Sequence, residues 1–245
     1  MASLKRAGCG PPLPISTSPE MPLPDLETEL RRRFAVRTER FAHGAFEAEV
    51  ILPEAADELI DEAAFDADER LPYWADLWPS ARALARWLLD GPAPRGAVLE
   101  LGCGVALPSL ALLARAAEVL ATDWYADALA FARANAERNG LPPLRTALLD
   151  WRAVPAELGR FGTVVAADVL YEARNAEDLA LALPGLVAPG GTAVVADPGP
   201  VYRADFVERM AGRGWSVGEE RLREPSEHAR AGNVEIHVLT LRPPG

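Results

Sequence analysis

Four short stretches of the chain combine residue types and spacings that can do chemistry. The first is Val98-Leu99-Glu100-Leu101-Gly102-Cys103-Gly104. An apolar run ends there in two glycines, which lack Cβ and let a backbone turn sharply and a ligand approach closely. The second is Asp123, about twenty residues on and at the end of the next apolar run, followed by Trp124. A carboxylate at that place can accept from both hydroxyls of a ribose. The third is Asp150-Trp151, an acid followed by a flat aromatic. Asp150 can accept from the exocyclic amine of an adenine, and Trp151 can pack on the ring. The fourth is Asp168-Val169-Leu170-Tyr171, where an acid and a phenol together can orient an amine.

A nicotinamide or flavin dinucleotide is excluded by detail. That fingerprint requires a third glycine three residues after the second, and here Leu107 and Pro108 stand at that point. Glu100 lies ahead of the turn, where its charge would oppose a pyrophosphate. A carboxylate there suits the ammonium and sulfonium of S-adenosylmethionine. Cys103 sits between the turn glycines with no base near it in sequence, so it counts among the small residues lining the cofactor turn rather than as a nucleophile. His43, His228 and His237 have no ligand-like spacing, and no metal is expected.

These residues need a scaffold that holds them at one edge. From Ala97 the chain alternates apolar strands, expected at 97–101, 117–122, 143–148, 163–167 and 192–196, with helices expected at 107–115, 125–138, 174–183 and 202–213. That rhythm predicts an α/β fold with a parallel, doubly wound, Rossmann-like sheet. Trp215–Glu220 and Val234–Leu241 have only a polar loop between them and should pair antiparallel. Ahead of this domain, taken as 93–245, lies an extension at 25–92. It contains a helix capped by Asp25, a hairpin from Val36 to Leu52 broken at His43-Gly44, an acidic stretch from Glu54 to Glu69, and a helix from Ser80 to Leu89. Residues 1–24 read as a disordered Pro- and Ser-rich tail, and Met21 is an alternative start.

Composition narrows the partners. The chain has 245 residues, 49% hydrophobic, with a net charge of −11. A nucleic-acid binder needs clustered basic residues, so a nucleic-acid partner is not expected. Two cysteines and the lack of an apolar leader or membrane-length run point to a cytoplasmic protein without disulfides. Lys5 is the sole lysine.

Taken with Pro72-Tyr73-Trp74-Ala75-Asp76-Leu77-Trp78-Pro79-Ser80 and Ala196-Asp197-Pro198-Gly199, these motifs resemble the seven-β-strand class I protein-lysine methyltransferases of methyltransferase family 16. Within it, the likeness is to the branch that modifies the electron transfer flavoprotein β subunit, with nicotinamide-type N-methyltransferases as further relatives. The likeness spans roughly Leu71 to Phe206. It implies methyl transfer from S-adenosylmethionine to a protein lysine, with a small nicotinamide-like amine as the alternative acceptor and a non-catalytic cofactor-binding subunit ranked below. It makes Asp168 and Tyr171 the catalytic, lysine-facing pair. Trp78, the Gly102–Gly104 turn, Asp123, Trp151 and Ala167 fall where the family contacts the cofactor. Two departures stand out: Pro200-Val201-Tyr202 occupies a place where the branch is expected to carry an arginine, and the acidic extension matches no family feature. A monomer or weak dimer is expected.

Overall fold

A computed structural model describes residues 25–55, 72–226, 229 and 232–245. The expected tail, most of the acidic stretch and His228 lie outside the described residues.

Asp25 behaves as expected of a cap: its carboxylate accepts the Thr28 N–H at 2.7 Å and starts α1 (Leu26–Arg33). Acids fill the first turn of α1 and arginines its last, matching the helix dipole. β1 (Val36–His43) and β2 (Phe46–Pro53) pair antiparallel around a turn in which Gly44 takes φ +58°. After the 3-10 turn Tyr73–Ala75, with further such turns at Trp151–Ala153 and Ala156–Leu158, comes α2 (Pro79–Asp90), opened by a proline at a position that needs no N–H.

The remaining elements are β3 (Val98–Leu101), α3 (Leu107–Ala114), β4 (Val119–Asp123), α4 (Ala126–Arg138), β5 (Arg145–Leu148), β6 (Phe161–Ala167), α5 (Ala173–Leu186), β7 (Val187–Asp197), α6 (Pro200–Gly212), β8 (Ser216–Pro225) and β9 (Asn233–Arg242). The seven strands order as β5-β4-β3-β6-β7-β9-β8. β9 runs antiparallel to both its neighbours and the other pairings are parallel. Strand order reverses between β4-β3 and β6-β7, so a crevice opens beyond the carboxyl ends of β3 and β6, where ligands bind in such sheets.

Several boundaries differ from expectation. β7 begins at Val187 rather than at residue 192, running through Gly190-Gly191. A side chain at Gly191 would meet the Gly162 and Ala188 carbonyls at 2.9 Å, so the glycine serves a close strand approach rather than a break. α5 continues three residues beyond 183 and holds Pro184 in its last turn. β8 and β9 are ten residues each, so much of the expected polar loop is strand.

The hairpin is fastened to the core by its own buried Phe41, Val50, Ile51 and Leu52, by Asn139, which bonds the Glu49 N–H and carbonyl at 2.9 Å, and by Asn135. Asn135 of α4 is fully buried. Its Oδ1 accepts the Ile51 N–H at 2.7 Å, and its Nδ2 donates to the Ile51 and Val105 carbonyls at 3.0 and 3.1 Å. No helix among the described residues is long and apolar enough to cross a membrane.

Candidate functional site: a cavity at the carboxyl ends of β3, β4 and β6

All twelve residues singled out from the sequence line a single cavity of about 930 Å³, counted with its open mouth. Its floor is the turn after β3. Gly102 and Gly104 take φ +63° and +50°, and Ala106, which caps α3, takes φ +67°. A Cβ at Gly102 would lie 3.1 Å from Val169 Cγ1, and one at Gly104 would lie 3.1 Å from the Trp74 carbonyl oxygen. The glycines are therefore required by conformation and by crowding together. The Cys103 N–H donates to the Thr122 carbonyl at 2.9 Å, tying this turn to β4.

Asp123 ends β4 and is 6% exposed. Its two oxygens accept the Gly104 and Tyr125 N–H groups, both at 2.9 Å. The carboxylate thus fixes the glycine turn while facing the cavity.

Glu100 is 1% exposed and takes a hydrogen bond from the Ser109 hydroxyl. Burial pushes its carboxyl up to about 8; Ser109 opposes this and the nearby charge of Asp123 adds to it. The sequence reading treated Glu100 as a standing negative charge. With its carboxyl raised to about 8 it is mostly protonated at neutral pH without a ligand, and a cation beside it would favour the anion. Cys103 is likewise buried, and burial raises its thiol pKa. It is a packing residue in the cavity wall, and its Sγ–H points to the Gly104 carbonyl.

The adenine-side expectation for Asp150 changes in detail. Its Oδ1 accepts the Arg152 N–H at 3.0 Å, and both its oxygens face the Arg152 guanidinium. An aspartate ahead of a tight turn caps the backbone two residues on, and that local bond competes with a ligand amine. The Arg152 guanidinium also sits 5.2 Å above the exposed Trp124 ring. The half-buried Trp151 packs against a core cluster that includes Leu99, Val164, Val169 and Leu179, and it approaches Gly102.

The two tryptophans ahead of the domain that line the cavity divide their tasks. Trp74 is 8% exposed and packs between Tyr125 and Phe131, at centroid distances of 6.4 and 5.6 Å. It is an anchor of the core that reaches the cavity edge. Trp78 is half-buried, and its Nε1 donates to the Tyr73 carbonyl at 2.7 Å.

On the opposite wall β6 ends at Ala167, and Asp168 turns the chain with φ +55°. Its N–H donates to the Ala196 carbonyl at 2.9 Å. A non-glycine residue with positive φ is strained, and aspartate is among the types that tolerate it best. Oδ2 of Asp168 is buried and has no hydrogen-bond partner among the described residues. Burial pushes its pKa up to about 6; Ser80 at the start of α2 opposes this, and the charge of Asp197 adds to it. Tyr171 stands 46% exposed at the mouth, its ring 5.1 Å from that of Tyr73.

Two residues here were not singled out as site residues from the sequence. Ser80 puts its hydroxyl near Asp168 without an acceptor for it. Asp197 ends β7 and is also raised to about 6 by burial, held down by the Gly199 and Leu170 N–H groups and by Arg203. Its place at a strand's carboxyl end beside Asp168 was the signal that could have found it.

Residues 98–191 match a family described as a methyltransferase domain. The electron transfer flavoprotein beta subunit lysine methyltransferase of Mus musculus is 32% identical over 177 residues, covering 70% of this chain and 68% of the relative. The protein of the same name from Xenopus laevis is 37% identical over 142 residues, covering 55% and 54%. Among solved structures, magnesium protoporphyrin IX methyltransferase from Synechocystis PCC 6803 with bound SAM superposes with a TM-score of 0.54 at 19% identity, covering 66% of this chain and 78% of that one. It shares the fold. The chain belongs to the class I S-adenosylmethionine-dependent methyltransferases, in the family of the electron transfer flavoprotein beta subunit lysine methyltransferases.

Proposed function

We propose that the chain transfers a methyl group from S-adenosylmethionine to the side-chain amine of a lysine on a protein, the electron transfer flavoprotein β subunit being the first candidate. One observation carries the assignment of roles. A single cavity joins the glycine turn and Asp123 on one wall to Asp168 and Tyr171 on the other. The names and extents of the relatives support the acceptor.

The residues present fit the cofactor. The Gly102–Gly104 turn presents bare backbone to the cavity, which a ligand can approach closely. Asp123 is a carboxylate acceptor facing the cavity where the ribose hydroxyls would lie, Trp151 and Trp124 offer aromatic surface, Ala167 is a small residue in the cavity lining, and Glu100 is an acid that a cation would ionise. Trp78 closes the same wall. When bound, S-adenosylmethionine supplies a methyl group on a sulfonium, a leaving group that needs no acid.

The chain's own residues then have to position the acceptor. A lysine arrives protonated, with a reference pKa of about 10.4. Asp168, ionised above about pH 6, accepts an N–H of the ammonium through Oδ2, its oxygen without a partner. The departing proton leaves to water through the mouth. Tyr171 orients the nitrogen through its hydroxyl. Alignment of nitrogen, methyl and sulfur is the main contribution, since orientation supplies several kcal/mol of such barriers.

Exposure of Tyr73 and Tyr171, at 38% and 46%, supports an acceptor presented on a protein surface over a small enclosed amine. The net charge of −11 supports a protein rather than a nucleic-acid acceptor, and the low cysteine count supports a reducing compartment.

The test is to titrate the protein with S-adenosylmethionine by calorimetry, then supply labelled cofactor with recombinant electron transfer flavoprotein and with lysate of the source organism. Label mapped to a lysine supports the proposal. Label confined to small molecules replaces it with the small-amine reading. Because Lys5 is the chain's only lysine, a Lys5→Arg control removes lysine self-labelling from the result.

A further inference from the structure

Tyr73 is a cavity residue that the proposed chemistry leaves without a task. It opens the 3-10 turn Tyr73–Ala75. Its carbonyl holds Trp78 Nε1 at 2.7 Å, so the backbone under the ring is tied down. The ring stands edge-on to Trp78, with centroids 6.0 Å apart and planes at 73°, and edge-on to Tyr171, at 5.1 Å and 67°. All three rings line the cavity that contains Asp168. Tyr73 and Tyr171 keep more than a third of their surface open and so form its rim. Near-perpendicular rings present faces in more than one direction around an opening, and aromatic faces attract cations.

We infer that Tyr73 is a specificity-determining residue: with Tyr171 and Trp78 it forms an aromatic collar that captures the acceptor as a cation at the mouth, before its nitrogen reaches Asp168. This rests on the lysine reading above. The collar and the acid then act at different stages. A lysine is cationic when it arrives, and the collar recognises that form. Attack requires the neutral amine, which forms as the proton leaves to water while Asp168 holds the nitrogen in place. Tyr73 therefore acts mainly on KM, and Asp168 mainly on kcat. The collar also disfavours acceptors carrying a phosphate or carboxylate at the reacting end, because the ring faces repel anions and Asp168 lines the same cavity.

The test uses two probes that differ only in charge. Each is an S-adenosylhomocysteine analogue with nitrogen replacing sulfur and a short alkyl tail, one ending in trimethylammonium and the other in its neutral tert-butyl isostere. Calorimetry gives both affinities, and that of S-adenosylhomocysteine itself, for the native protein, Tyr73→Phe, Tyr73→Leu and Tyr73→Met. The native protein and Tyr73→Phe should prefer the charged tail by about tenfold, and Tyr73→Leu and Tyr73→Met by about threefold or less, since the other two rings remain. S-adenosylhomocysteine affinity should change less than about threefold in all of them. With a methylatable protein, KM should rise about fivefold in Tyr73→Leu at near-constant kcat.

An unchanged charge preference in both aliphatic variants overturns the collar. So does a parallel loss of S-adenosylhomocysteine affinity, which would put Tyr73 on the cofactor side alone. Lysine turnover with an unchanged preference sinks the collar and leaves the proposed function standing. A preference lost in the aliphatic variants, with no lysine methylated by the native enzyme, upholds the collar and sinks the lysine reading.

Discussion

Glu100 is a residue whose removal should make the ligand-free protein more stable. It is 1% exposed, and burial raises its carboxyl from 4.5 to about 8. For an acid whose folded pKa is raised, the folded state holds the proton more tightly than the unfolded one. Stability is therefore full below about pH 4.5 and declines as pH rises toward 8. Each pH unit separating the two pKa values is worth about 1.4 kcal/mol. The full decline is about 5 kcal/mol, of which about 3 kcal/mol has been lost by pH 7. Glu100→Gln keeps the shape and an acceptor for the Ser109 hydroxyl, and it never ionises. Its amide N–H groups need partners, which returns about 1–2 kcal/mol. The variant should match the native protein near pH 5 and exceed it by about 1–3 kcal/mol at pH 7 to 8, or about 3–10 °C in Tm for a chain of this size. The assay is unfolding without cofactor, by urea or heat, from pH 5 to 8.5. Parallel pH curves for the two proteins would refute the reasoning. A second arm reads the function that opposes this stability. If Glu100 meets the cofactor's ammonium, native binding near pH 7 releases a proton, seen as a dependence of the calorimetric heat on buffer ionisation enthalpy. Glu100→Gln should lack that proton and bind about tenfold more weakly.

Three further outcomes follow from the geometry. kcat/KM should fall on the acid side below about pH 6 as the Asp168 carboxyl takes up its proton, and that limb should be absent from whatever activity Asp168→Asn retains. Gly104→Ala should cost about 1–2 kcal/mol of stability from its φ of +50° alone, and should weaken cofactor binding as well, because the new Cβ meets the Trp74 carbonyl at 3.1 Å. Asn135→Leu leaves the Ile51 N–H and the Ile51 and Val105 carbonyls without their partner. It should cost about 3–5 kcal/mol in urea unfolding and expose the β1–β2 hairpin to protease first.

What the sequence could reveal depended on how far each residue's conformation is set by its neighbours in the chain. The strand–helix alternation from Ala97, the glycine turn and the acids ending β4 and β6 are local patterns, and the fold keeps all of them. Residues whose role depends on distant partners were not legible. Asn135 sits in an alanine-rich helix and reads as surface until β2 is docked on it, 84 positions away. Asp150 reads as a ligand acceptor, yet a nearer donor on Arg152 occupies it. Glu100 reads as a charge, because only its burial shows that it carries a proton.

Asp168 joins the two kinds of information, and it decides how its own test must be built. The sequence supplies its type and its place after β6, but not its φ of +55°. Replacing it by alanine removes the carboxylate and also puts a residue poorly suited to the left-handed region into that turn, at a cost of about 1–2 kcal/mol. The Ala196 carbonyl that holds its N–H would then shift along with the β6–β7 edge. Loss of activity in Asp168→Ala would mix lost charge with a displaced turn. Asparagine tolerates the same φ and nearly matches the shape, so Asp168→Asn isolates the charge. It should lower kcat by about a hundredfold or more, with S-adenosylmethionine affinity within about threefold and Tm unchanged or raised, since a buried acid of raised pKa is gone. If Asp168→Asn keeps native kcat while Asp168→Ala is inactive, the residue holds the turn and the carboxylate has no part in orienting the amine.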